Sequence, residues 1–147
     1  MSIQFRPKAL ASAALLYAAW FLPVAYADGN VSDEALTKAL VGAWTYSPKD
    51  GRYQAFQSRG MYTYAQVNAD GTSVVYFYRG RCGQLLAQVK YQWKIASGIR
   101  TETYVNNGRE QTFTSRITVT SPNSFEATPL DGTGKLYFDR TEPCAVS

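Results

Sequence analysis

The chain contains no histidine, which excludes every Ser-His-Asp and Cys-His nucleophilic arrangement and every histidine-held metal. Cysteine occurs only twice, at Cys82 and Cys144, too few to build a thiolate cluster without histidine, so neither a metal nor a cofactor is expected. None of the 11 glycines falls in a P-loop pattern. The 15 Lys and Arg residues are scattered rather than interleaved with aromatics, so no stripe tracks a phosphate backbone and nucleic acid is not an expected partner. No internal repeat, linker or low-complexity stretch divides the chain. The acids that remain, among them Glu102, Glu110, Glu126, Asp131 and Asp139, read most simply as outward, solvated positions, and no enzymatic activity is expected.

What the chain does carry begins at its N-terminus. Arg6 and Lys8 form a positive n-region, Ala9 to Leu22 is a nearly uninterrupted apolar run, and Pro23-Val24-Ala25-Tyr26-Ala27 ends in an A-x-A site. This is the anatomy of a secretory signal peptide over residues 1–27, with cleavage expected after Ala27. The run from Ala9 approaches the roughly 20 residues of a membrane-spanning helix, but Pro23 and the small-residue site favour cleavage, after which no stable membrane span is expected. A secreted or periplasmic domain, residues 28–147, is left. Losing Arg6 and Lys8 lowers its net charge from +4 to +2, so part of the basicity belongs to export.

A domain of about 120 residues suits one core that buries roughly two-thirds of its unfolded surface. Nine Tyr, five Phe and two Trp follow Ala27, and such side chains fit pleated, half-buried surfaces, which favours an all-β domain. An even pair of cysteines in an oxidising compartment is most simply a disulfide. A Cys82–Cys144 bridge would pin the C-terminal tail beside the segment from Arg79 to Gly83.

Local patterns divide the domain further. Ser32 stands where it can cap a helix, Asp33 and Glu34 favour its positive end, and Ala35, Leu36, Ala39 and Leu40 form one apolar stripe that must dock on something larger. Beyond Val41 the period becomes two, punctuated by turn signals such as Asn68-Ala69-Asp70-Gly71, Ser97-Gly98 and Asn106-Asn107-Gly108. Strands are predicted over 41–46, 53–58, 61–67, 73–79, 85–95, 99–105, 111–120, 124–128 and 135–140. Val89, Tyr91, Trp93 and Ile95 share one face against Gln88, Lys90, Gln92 and Lys94 on the other; Phe113, Ser115, Ile117 and Val119 likewise oppose a polar set. The strand from Ser73 to Arg79 has Val75 and Phe77 on one face, yet Val74, Tyr76 and Tyr78 make the other apolar too. That second face needs a cover, which the N-terminal helix, the tethered tail or a partner could supply. Alternation of this kind suits a closed barrel or a sandwich.

Leu40-Val41-Gly42-Ala43-Trp44 places a G-x-W on the first strand directly after the helix, and the last strand ends in Leu136-Tyr137-Phe138-Asp139-Arg140. With the Asn68-Ala69-Asp70-Gly71-Thr72 turn, this arrangement resembles a lipocalin-like (calycin) domain of the short bacterial type. The T-D-Y motif of the central lipocalins is absent. The resemblance implies an antiparallel up-and-down β-barrel of about eight strands preceded by a short N-terminal helix. It implies structural roles for Gly42, Trp44 and Arg140, the arginine packing over the indole that closes one end of the barrel. The attraction of a guanidinium for an indole face supports that pairing independently.

For function, the resemblance implies a small apolar or amphipathic ligand held in or at the mouth of the barrel. The candidate ligand-binding residues are Phe77, Tyr91, Trp93, Phe113 and Ile117, whose alternation points them inward; each taken singly can equally be core. The alternative is a protein-binding module, such as an inhibitor of an exported hydrolase, using Arg52, Tyr53, Phe56, Arg59, Tyr62 and Tyr64, because Tyr and Arg favour interface hot spots. The expected partners are thus a small hydrophobic ligand or an exported protein.

Overall fold

The computed structural model describes residues 31–145. The expected signal peptide and its cleavage site lie outside the described residues. Eight antiparallel strands close into one barrel in sequence order: β1 (Gly42–Tyr46), β2 (Met61–Val67), β3 (Thr72–Arg79), β4 (Gln84–Ala96), β5 (Ile99–Asn106), β6 (Arg109–Ser121), β7 (Ser124–Pro129) and β8 (Leu136–Arg140). Pairing of β1 with β8, Trp44 opposite Arg140 and Tyr46 opposite Phe138, completes the circle and excludes the sandwich. Among the described residues no helix is long and apolar enough to cross a membrane.

Helix α1 (Asp33–Leu40) docks under one end. Ser32 caps it by accepting the Ala35 amide at 3.2 Å. Its apolar stripe buries Leu36 and Leu40 against Trp44, Val67, Trp93, Ile117, Val119 and Phe125, and a fully buried leucine contributes roughly 1.5–3 kcal/mol. The Asp33 carboxylate does more than complement the helix dipole. It accepts the amides of Ser97 and Gly98 at 2.8 and 2.9 Å, fastening the helix to the β4–β5 turn, where both residues have positive φ.

The rest of this closed end is held by two tryptophans. Trp44 Nε1 donates to Leu40 O at 2.7 Å, tying β1 back to the helix, and its ring meets Phe125 edge-on at 4.8 Å. Trp93 Nε1 donates to Thr72 O and Asn68 O at 3.0 and 3.2 Å, so its indole braces the β2–β3 turn, in which Asp70 accepts the Thr72 amide and hydroxyl.

One predicted strand is corrected. Residues 53–58 are not extended: Gly51–Gln57 forms a second helix, α2, at the opposite end of the barrel. Asp50 caps it through the Arg52 amide at 2.8 Å, and its second carboxylate oxygen accepts the Tyr137 amide of β8 at 2.9 Å, which anchors α2 to the barrel wall. Residue type misled here: Tyr53 and Phe56 are strand-favouring aromatics, but they stand at the i, i+3 spacing of one helix face.

The apolar outer face of β3 is covered by the chain's own tail. Tyr62 and Tyr64 of β2 stand opposite Tyr78 and Tyr76 of β3 on the outside of the barrel, and Cys144 packs into this cluster, bonded to Cys82 with a Cα–Cα distance of 5.2 Å. The Tyr62 hydroxyl shares a 2.7 Å hydrogen bond with Thr141 of the tail. Burial, with neighbouring Tyr78 adding to it, pushes the Tyr64 phenol up to about 12.

Candidate functional site

Above the floor of Trp44 and Trp93 the barrel is not filled. A cavity of about 270 Å³ occupies the half nearest α2. Its wall is mainly aromatic because the inward positions of β1, β3, β4, β6 and β8 nearest this end are Tyr46, Phe77, Tyr91, Phe113 and Phe138, joined by Phe56 of α2. Phe56 stands 6.1 Å from both Tyr46 and Phe77, so the short helix reaches over the rim as part of the wall.

The structure divides the five sequence-derived candidates. Phe77, Tyr91 and Phe113 line the cavity. Trp93 and Ile117 also face inward but lie lower, in the packed core against α1, and do not line it. Alternation assigns a face and not a height along the barrel, so it groups wall and floor together. The depth of each residue follows from strand register: Trp93 stands opposite Glu102, one inward step nearer the floor than Tyr91.

Tyr46 and Phe138 of the aromatic wall were missed as site candidates, and so were the two charged residues of the cavity. Arg100 and Glu102 are consecutive inward positions of β5, and Arg100 is only 7% exposed. Glu102 is therefore not the outward acid expected from sequence. Arg100 Nη2 lies 2.8 Å from Glu102 Oε1, and its guanidinium carbon is 5.5 Å from the Trp93 ring centre. The pair is close but not aligned, since neither Nη2 nor Nε of Arg100 makes a well-directed hydrogen bond to any protein group. Burial pulls the arginine pKa down, with Glu102 opposing. The Tyr91 phenol is pushed up to about 12, chiefly by burial and then by the Glu102 charge. The signal for this pair was the pattern Arg100-x-Glu102-x-Tyr104, which puts three polar-ended side chains on one face of a strand whose other face carries Thr101 and Thr103.

The mouth is open on one side. Pairing between β4 and β5 runs only from Ala96–Ile99 to Gln92–Thr103, after which β4 follows β3 to Gln84 and β5 follows β6 to Asn106. A bulge at the Phe77/Tyr78 step of β3 against β4 accompanies this parting, and bulges bend strands. The rings of Tyr91 and Tyr104, 5.0 Å apart, stand at the fork, and a lateral groove of about 540 Å³ lies along it. Among the described residues, the five large apolar side chains that remain exposed, Leu85, Leu86, Val105, Phe113 and Leu130, belong to this same end of the barrel.

The residues considered for a protein-facing patch are largely engaged within the chain. Phe56 turns to the cavity, and Tyr62 and Tyr64 lie under the tail. Of this set Arg59 is exposed, while Arg52 and Tyr53 are half-buried. Among the described residues, no group of three or more His, Cys, Asp or Glu side chains gathers to hold a metal. No family model matches the chain, and neither the curated proteins nor the solved structures contain a match to it.

Proposed function

We propose that this chain is an exported, lipocalin-like binding protein that holds a small amphipathic molecule in the open half of its barrel. The observation that carries the reading is the cavity of about 270 Å³, close to the lower bound of typical ligand pockets, with an aromatic wall and one pair of opposite charges inside. A barrel of eight strands has just enough interior either to be filled by its own side chains or to hold one small ligand. This one is filled on the α1 side and open on the other. An aromatic rim with exposed leucines and a valine around it is suited to receiving an apolar body from solvent. The disulfide fits an oxidising compartment and therefore the export reading.

Native mass spectrometry of the mature protein, purified gently after export from its own host, tests the proposal. The expected result is a co-purifying small molecule at one-to-one stoichiometry that is released on unfolding. A bare mass repeated across growth conditions would count against it, most directly if the mature protein also failed to take up any amphipathic dye.

A further inference from the structure

Among the described residues, Arg100 and Glu102 are the only charged side chains lining the cavity, one of each sign, and they lie on its inner wall beside Trp93, which stands opposite Glu102. Burying such a pair costs desolvation that mutual attraction recovers only when the remaining hydrogen-bonding capacity is also met. Here it is not met: two guanidinium nitrogens lack an aligned acceptor. A packed barrel would be served as well by two apolar residues of similar size. The pair instead offers a bound molecule donors from Arg100 beside an acceptor from Glu102.

Resting on the proposal that the cavity holds a ligand, we infer that its ligand enters polar end first and that this end is uncharged, carrying an acceptor for Arg100 next to a donor for Glu102, as in a primary amide. The sign balance decides against an anion. A carboxylate reaching Arg100 would be placed beside Glu102, which lies 2.8 Å from the guanidinium, and like charges in a low-dielectric space repel strongly. An ammonium group would meet Arg100 in the same way. The rest of the molecule would lie between Phe77, Tyr91 and Phe113, with its apolar end toward the rim.

The test uses three probes with one ring system and different polar ends: a naphthamide, the matching naphthoate, and naphthalene. Binding to the mature protein is read by isothermal titration calorimetry and from the Arg100 Nε–H signal in nitrogen-15 NMR. The expected result is that the amide binds at least about tenfold tighter than either other probe, as one good hydrogen bond to a charged group implies, and that it shifts the Arg100 signal. The double replacement Arg100→Leu with Glu102→Leu, which leaves no unpaired buried charge, should bring the three affinities within about threefold of one another. Equal binding of naphthalene and the amide by the unaltered protein would overturn the polar anchor while leaving the cavity as a ligand site. Tightest binding of the naphthoate would overturn the neutral-end inference in the same way. If none of the three bound, the cavity reading would fall and this inference with it.

Discussion

The guanidinium carbon of Arg140 lies 4.2 Å from the centre of the Trp44 indole, and three of its nitrogens donate to backbone carbonyls at 2.9 Å: Nε to Pro122, Nη1 to Val41 and Nη2 to Ala39. One side chain thus ties the last strand to the helix exit, the first strand and the β6–β7 turn. Gly42 makes room for it: its φ is +133°, and a Cβ there would collide with Arg140 Nη1. Gly42→Ala is expected to cost about 2–4 kcal/mol, from the strained backbone and the displaced guanidinium together. Arg140→Lys should cost about 2 kcal/mol, since an ammonium cannot serve three separated carbonyls while covering a ring. Urea unfolding midpoints check both, and a change under about 0.5 kcal/mol for Gly42→Ala would contradict this account.

The disulfide closes a loop with a sequence separation of 62, worth about 4 kcal/mol in the chain-entropy model. Replacing both cysteines by serine is therefore expected to lower stability by up to that amount and to loosen the tail. Tyr62 and Tyr64 should then become open to iodination, whereas they resist it in the bonded protein. Unchanged labelling would mean that Thr141 and its neighbours hold the tail without the bridge.

Phe113 and Trp93 are separable by mutation because one is wall and the other floor. Phe113 is 49% exposed at the rim, so Phe113→Ala should change stability by less than about 1 kcal/mol while weakening binding of an aromatic probe. Trp93→Ala, which removes a buried ring and its hydrogen bonds to the β2–β3 turn, should cost about 3–5 kcal/mol whether or not anything binds. Parallel melting and titration distinguish them. Intact affinity in a stable Phe113→Ala variant would remove this residue from the site.

Stability should fall on the alkaline side. The Tyr64 and Tyr91 phenols are each raised from an ordinary value of 10.0 to about 12, burial being the first cause for both. A raised folded-state pKa means that the folded chain holds the proton more tightly than the unfolded one. The stabilisation is fully present below pH about 10 and is lost as the pH rises to about 12. Tyrosine absorbance during alkaline titration should show Tyr64 and Tyr91 among the late-ionising phenols, with Tyr46 also raised by burial, and replacement of Tyr64 and Tyr91 by phenylalanine should flatten the stability profile in that window.

The seam between β4 and β5 should be the weakest part of the wall. Amides of β4 between Gln84 and Tyr91 that face the seam have no β5 partner, unlike those between Gln92 and Ala96, and unpaired edge amides exchange readily. Hydrogen exchange is expected to be faster above Gln92 than below it on the same strand. Uniform protection along β4 would show that the strands close in solution.

Particular residues show why some of this was legible beforehand. Gln88 to Ile95 declared its two faces because one side packs on the core and the other meets water, and a one-residue slip would exchange them. Ser32 and the Leu36–Leu40 stripe declared the first helix through local capping and period. The second helix was not legible, because Tyr53 and Phe56 suit a strand and a helix alike. What decided it was Asp50, whose carboxylate serves the Arg52 amide and a strand 87 residues away.

By itself, then, the amino-acid sequence determined an all-β domain with an N-terminal helix, a disulfide-tethered tail and aromatic inward faces, because capping and alternation act between neighbours and an even pair of cysteines has one simplest pairing. Tertiary structure alone decided that the circle closes between β1 and β8, that Trp93 is floor while Tyr91 is wall, and that the tail rather than a partner covers the outer tyrosines. It also turned Arg100 and Glu102 inward together. Strand register and barrel closure set these relations, and both depend on pairings between residues far apart in the chain, which no local pattern encodes.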